Sequence, residues 1–318
     1  MNIITALNRK FIPYTVTMLT SLGVNEKEHV DAYLLNSELT EDDIVEIKDA
    51  LTSYDMDVYS LAVDRNKFSN RLPYNTMWSI ETYYRLMCLE LLPAYLDRAL
   101  YLDGDMIINK SLSDLYHAQF EGAEIIACDD KSGLNSPESY GPKHKEMFRQ
   151  AYENGYRYFN AGVMLLNIEE MRKKYSFQTY LDAFEAWDYK MEAPDQDILN
   201  WVHWRKVFYA NCIVYDLFAR GAHNAHMSYE EVKESTAIVH FGGAKPWENK
   251  YFHFDIEKLW WDYAKLTPYY DSLLIHFVES AMKDKTVEKY LSELIRQNDI
   301  KKEKLCKITE VFKKILNS

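Results

Sequence analysis

Short apolar runs recur along the first half of the chain, and between them apolar residues fall three and four apart. Residues 2–7 (NIITAL), 30–36 (VDAYLLN), 57–63 (DVYSLAV) and 99–103 (ALYLD) read as buried strands. Between the first two, Tyr14, Met18, Leu19 and Leu22 recur at helical spacing, with Gly23 as the predicted stop. Strand and helix therefore alternate, which predicts an α/β fold on a mostly parallel central sheet. Open sheets of this kind bind ligands at the carboxyl ends of their strands, where the first strand delivers Ala6 and Asn8.

Further along, residues 79–92 (SIETYYRLMCLELL) predict a helix ended by Pro93, with Arg85 on it, where an Arg among apolar neighbours ordinarily lays its stem on the core. Residues 112–117 predict a short helix, 124–129 a strand, and the Ser-, Gly- and Pro-rich residues 132–142 a loop that is either a lid or a connector. The strand predicted at 158–167 (YFNAGVMLLN) is interrupted by Asn160 and Gly162, as a bulge or as a place of close approach. Asp195 and Asp197 suit the first turn of a helix. KVFYA (206–210) and CIVYDLF (212–218) predict strands closing one side of the sheet. Ile238 and Val239 end another strand with His240 at its edge, followed by Gly242, Gly243 and Lys245, whose amides and ammonium suit a diphosphate.

The stretch at 98–109 (RALYLDGDMIIN) carries the sharpest chemistry. An apolar strand stops at Asp103-Gly104-Asp105, and Gly104 permits a bend that brings both carboxylates to one point. Converging oxygen ligands suit Mg2+ or Mn2+. Alone, the tripeptide is also what a polar turn after a core strand looks like. A phosphatase of the haloacid dehalogenase type requires a Thr two places on, where Ile107 stands.

Charge narrows the choice of substrate. At 318 residues and net charge −12, the chain lacks the basic balance of a general nucleic-acid binder, and an anionic substrate needs a local cation or metal. Cys88, Cys128, Cys212 and Cys306 show no metal-finger or disulfide spacing, which predicts a reduced, cytoplasmic setting. No leader-like or membrane-spanning apolar window is expected. After Trp260-Trp261 the core pattern fades. Residues 283–318 hold ten Lys/Arg against six Asp/Glu, a net +4 beside −16 for the remainder. Their Leu291, Leu294, Ile295, Leu305, Ile308, Val311, Phe312 and Ile315 recur near helical spacing. A basic amphipathic tail of this kind either lies on anionic lipid, as a peripheral contact at the inner face of a membrane, or packs on the body or on another subunit of an oligomer.

Together these stretches resemble glycosyltransferase family 8, the retaining enzymes that include bacterial lipopolysaccharide galactosyl- and glucosyltransferases and glycogenin. The resemblance implies a GT-A type nucleotide-sugar domain over residues 1–265, with 266–318 as a helical, basic extension. The family's opening Ala-x-Asp and aromatic appear as Ala6, Asn8 and Phe11, with Asn8 in place of the Asp that contacts uracil. Its donor-binding Arg matches Arg85. Its Asp-x-Asp matches Asp103, Gly104 and Asp105, and its distant His matches His240, so that Asp103, Asp105 and His240 are implied to hold Mn2+ or Mg2+. Asn160 and Gly162, and the pair Asp195 and Gln196, match elements at the donor sugar, the latter pair as catalytic. Gly243 and Lys245 match the diphosphate loop, with the His-to-Lys spacing one residue short of the usual.

The implied reaction is retaining transfer of galactose or glucose from a UDP-sugar to a hydroxyl of a glycan, lipid-linked or protein acceptor, in cell-surface glycan synthesis. Asp195 would bind sugar hydroxyls and Gln196 lie near the anomeric carbon, with front-face transfer preferred to double displacement. Two rivals stand beside it. One is a silent UDP-sugar-binding relic. The other is a sugar nucleotidyltransferase, which expects a glycine-rich first loop where this chain has Asn8-Arg9-Lys10.

Overall fold

Residues that alternate between two apolar faces build a sheet buried on both sides. In a computed structural model of the chain, residues 1–68, 70–72, 79–130, 142–243, 245–248, 253–283, 293 and 295–307 are described. The strands are β1 (Asn2–Ala6), β2 (Val30–Asn36), β3 (Met56–Ala62), β4 (Ala99–Leu102), β5 (Met106–Ile108), β6 (Ile125–Asp129), β7 (Phe159–Leu166), β8 (Val207–Ala210), β9 (Leu217–Phe218) and β10 (Ile238–His240). Seven form the central sheet in the order β3-β2-β1-β4-β7-β6-β8, and β5-β10-β9 form a small second sheet. All pairs in the large sheet are parallel except those of β7, which runs antiparallel to β4 and β6. This is the predicted mostly parallel α/β architecture of GT-A type.

The pleat sorts side chains onto two cores. Ile4, Tyr33, Leu35, Tyr101, Met164 and Leu166 join one cluster, and their strand neighbours Ile3, Leu34, Leu100, Leu102, Val163 and Leu165 join the other. At ~25 cal/mol per Å2 of apolar surface buried, these two layers are the main source of stability.

Three local predictions are corrected. Gly23 does not stop the first helix, which runs Ile12–Asn25; a Cβ there would lie 2.6 Å from the Tyr54 ring, so the glycine makes room for packing. The predicted helix at 79–92 is a 3-10 helix over Ile80–Met87 followed by one α turn, Cys88–Leu91. Six of the eight residues in the 3-10 part are buried, and the tighter winding serves partners on several sides. CIVYDLF is not one strand. Asn211 accepts from the Ile213 amide and caps a helical turn, Cys212–Tyr215, leaving only Leu217–Phe218 extended.

The chain divides into two compact units, residues 1–246 with 254–270, and residues 247–253 with 271–318. In the second, the helix Tyr270–Lys283, which enters that unit at Asp271, exposes Ile275, Val278 and Met282, and helical residues 295–307 expose Ile295, Ile300 and Leu305. Leu291, Leu294, Ile308, Val311, Phe312 and Ile315 of the expected amphipathic pattern lie outside the described residues, as do residues 132–141 of the expected loop; Pro142 opens a helix, Pro142–Met147. Among the described residues no helix is long and apolar enough to cross a membrane.

Candidate active site

Strand β7 runs opposite to β4, so its first residues lie beside the carboxyl end of β4. The Asp103 amide donates to the Gly162 carbonyl at 2.9 Å, which joins the two elements at the point where the acidic turn begins. The antiparallel pair β5–β10 sets His240 opposite Met106, and the Phe241 amide donates to the Asp105 carbonyl. A histidine remote in sequence is thereby carried to the Asp-Gly-Asp turn. Ala6, Asn8, Phe11, Arg85, Asp103, Gly104, Asp105, Asn160, Gly162, Asp195, Gln196, His240, Gly243 and Lys245 all line one cleft of about 800 Å3.

Arg85 is not the surface residue its apolar neighbours suggest. It is 7% exposed, its guanidinium lies 4.4 Å over the Tyr101 ring, and it donates to Asp103 Oδ1 (2.7 Å) and the Ala161 carbonyl (2.6 Å). Its Nε also lies 3.2 Å from Asp195 Oδ2. Burial alone would lower its pKa, but Asp103, Tyr101 and Asp195 outweigh burial and raise it, so the cation is permanent. Burial pushes the Asp195 carboxyl up to about 6 despite Arg85, with Asp103 adding to the rise. The other acid of that turn has a different place. Asp197 is fully buried, where Tyr158 and the amides of Glu192 and Ala193 donate to it, and it anchors the start of the helix Pro194–His203.

Asp105 is buried, with His240 Nε2 3.5 Å from Oδ1 and Lys245 bonded to Oδ2. Lys245 also donates to the Phe241 carbonyl at 3.0 Å. Burial opposes ionisation of Asp105, but Lys245 and His240 hold it well below the usual carboxylate range. The reverse holds for His240: burial would lower it, and Asp105 and Asp216 raise it to about 10. The buried Asp216 carboxylate lies 2.9 Å from His240 Nδ1 and fixes the ring with Nε2 facing the cleft.

The two glycines at the turn act through space. Gly104 does not take a left-handed φ, contrary to the expected bend; a Cβ there would fall 2.8 Å from Thr15 Oγ1 and 3.2 Å from the Phe11 ring. A Cβ on Gly162 would lie 2.8 Å from Asn160 Oδ1, Asp103 Oδ2 and His240 Cε1. Only Gly243 of the site uses positive φ, at +85°.

Asp103, Asp105 and His240 each offer a ligand atom, and the three lie within 4.8 Å of one another. Two carboxylate oxygens and an imidazole nitrogen aimed by Asp216 fit a divalent ion such as Mn2+ or Mg2+. Deeper in the cleft, Gln196 Oε1 accepts from Asn160 Nδ2 (3.1 Å) and the Ala161 amide (2.9 Å), and its Nε2 donates to Asp130 Oδ2 (3.1 Å). Asn160 Oδ1 accepts from the Gly162 amide, so the break in this strand does hold its own backbone as well as Gln196. At the opposite flank, Asn8 Oδ1 accepts from the Phe11 amide and caps the turn that carries Phe11.

Asp216, Tyr101, Asp130 and Glu81 escaped the sequence. Tyr101 had a signal, since it lies two residues before Asp103 and so on the same strand face. Asp216 had none, being inside a segment with strand composition.

A model of glycosyl transferase family 8 matches residues 2–251. A lipopolysaccharide 1,2-glucosyltransferase of Escherichia coli is 27% identical over 241 residues, covering 73% of this chain and 68% of that one. A lipopolysaccharide 1,2-glucosyltransferase of Escherichia coli strain K12 is 27% identical over 202 residues, covering 60% and 58%. The chain thus spans about six-tenths to two-thirds of these relatives' lengths. The crystal structure of the galactosyltransferase LgtC in complex with donor and acceptor sugar analogs has a TM-score of 0.70 at 24% identity, covering 84% of this chain and 96% of that chain, which is a likeness of fold.

Proposed function

The chain belongs to glycosyl transferase family 8, and from that membership we propose that it transfers a hexose, galactose or glucose, from a UDP-sugar to an acceptor hydroxyl with retention at the anomeric carbon. The observation that carries the proposal is the convergence of Asp103, Asp105 and His240 within 4.8 Å on the wall of the cleft. These three residues would hold Mn2+ or Mg2+. A divalent ion held there supplies positive charge to the departing diphosphate.

The chain's own groups do the rest. Lys245 and the loop at Gly242 and Gly243 face the same cleft and add a cation and amide donors for the diphosphate. Arg85, permanently charged and fixed by Asp103 and Ala161, balances the acids around it. Asp195 offers a carboxylate to sugar hydroxyls. Gln196 sits beside the sugar with its amide locked in one orientation. Attack by Gln196 Oε1 on the anomeric carbon would first break two hydrogen bonds, which supports front-face transfer over a covalent intermediate on this residue. In front-face transfer the bond from sugar to diphosphate breaks, the acceptor oxygen bonds on the same face, and the acceptor's proton passes to the departing diphosphate.

The names of the two Escherichia coli relatives support a cell-surface glycan as acceptor. The excess of Lys and Arg in residues 283–318 supports contact with an anionic membrane surface. The test is UDP release from a panel of UDP-sugars, with Mn2+ or with EDTA, by this protein and by Asp103→Ala. Metal-dependent release from one donor, lost in the variant, is the expected result. Absence of both turnover and UDP binding would sink the assignment of donor.

A further inference from the structure

Glu81 lines the cleft and is 9% exposed, yet among the described residues no hydrogen bond to its carboxylate is formed. Buried carboxylates ordinarily collect donors, as Asp105, Asp195 and Asp197 do in this same chain. Its position follows from the winding of its helix. In a 3-10 helix residues three apart eclipse, so Glu81 shares a side with Tyr84, and Thr82 shares one with Arg85. The Arg85 side points to Asp103 and Asp195. The Tyr84 side points to the carboxyl end of β2, where the Tyr84 hydroxyl donates to Ser37 Oγ at 2.7 Å. Raised chiefly by burial, the Tyr84 phenol also feels Glu81 and Glu38, and Glu38 accepts from the Arg9 amide next to Asn8.

Strand order then says what this flank faces. A UDP-sugar is linear: nucleoside, diphosphate, sugar. The ion-binding residues lie at the end of β4, and Gln196 with Asn160 lies toward β7, on one side of it. The flank left for the nucleoside is that of β1 and β2. There Asn8 Oδ1 already accepts from the Phe11 amide, and Glu81 adds a carboxylate that lines the cleft.

We propose that Glu81 is a specificity-determining residue whose carboxylate accepts a hydrogen bond from the nucleoside half of the donor, either the imide N–H of the base or a ribose hydroxyl. This rests on the nucleotide-sugar reading of the cleft. The test is calorimetric titration of the wild-type chain and of Glu81→Gln, with Mn2+ present, using UDP, 2′-deoxy-UDP and inorganic pyrophosphate. Glu81→Gln weakens UDP binding by about tenfold or more, the worth of a hydrogen bond to a charged group, and leaves pyrophosphate binding unchanged. A loss that persists with 2′-deoxy-UDP assigns the partner to a group other than the 2′-hydroxyl, and a loss that vanishes assigns it to that hydroxyl. Equal binding of UDP by the two proteins overturns the inference alone, as does an equal loss for pyrophosphate. A wild-type chain that binds pyrophosphate but no UDP overturns the functional reading with it.

Discussion

Two clusters of carboxylate, imidazole and cation lie at opposite ends of the central sheet. Glu124 precedes β6 at its amino end, whereas Asp103 follows β4 at its carboxyl end, and the two strands run the same way. Glu124 is 2% exposed, with Oε2 3.0 Å from His203 Nδ1 and Oε1 2.9 Å from Lys174 Nζ; His203 Nε2 in turn meets the Tyr180 hydroxyl. Every strong group there is matched inside the protein. At the cleft, the acids converge on one another and His240 turns its Nε2 toward them. Burial of charge is common to both clusters. What separates the two is where the groups point: the carboxylate and imidazole of the Glu124 cluster lie away from the cleft, whereas Asp103, Asp105 and His240, though also paired within the protein, line it.

The largest effect expected from breaking this comparison is on the open cluster. Asp103→Asn keeps an acceptor for Arg85 but removes one ligand charge. UDP release with Mn2+ should fall about a hundred- to a thousandfold, while the urea midpoint stays close to that of the parent. Glu124→Gln should do the opposite: activity per folded molecule is kept, and urea unfolding shows a loss of about 2 kcal/mol, because an amide cannot accept at both oxygens and a buried donor is left unmatched.

The same variant tests pH. Burial would raise the Glu124 carboxyl, but His203, Lys174 and Tyr175 hold it down at about 2. A folded pKa below the unfolded one contributes stability that is present above the ordinary carboxylate range and lost as pH falls toward about 2. The stability difference between parent and Glu124→Gln should therefore shrink over that acid range. A difference that stayed constant would mean that packing, not charge, sets it.

Smaller effects sharpen the contrast. Asp216→Asn leaves the shape of the His240 support but weakens its hold on Nδ1. Mn2+ affinity, read by electron paramagnetic resonance, should drop about tenfold. Gly23→Ala pushes a methyl into Tyr54, and neither residue lines the cleft. It should cost about 1 kcal/mol in unfolding, with UDP release unchanged.

The two clusters were unequally legible. Asp103 and Asp105 stood out because an apolar strand stops at them, and Asn160 and Gly162 because they interrupt an apolar run, whereas Gln196 stood out only through the family resemblance. Glu124, His203 and Tyr180 are single polar residues in unrelated segments, and nothing in their spacing announces that they meet. Arg85 shows the same limit from the other direction: its sequence neighbours suggest a solvated head, and only the packing of Tyr101 and Ala161 around it reveals a buried cation.

By itself the sequence determined the alternation of strand and helix, the sidedness of each strand and the residues at strand ends, because these follow from local periodicity and chain direction. Tertiary structure decided which ends became neighbours. The antiparallel course of β7 brought Gly162 to Asp103, and the pairing of β10 with β5 brought His240 to Asp105. It also decided the winding at Glu81 and Arg85, the room that Gly23 and Gly104 must leave, and the support of His240 by Asp216. Those outcomes depend on contacts between residues far apart in the chain, whose energies no local pattern contains.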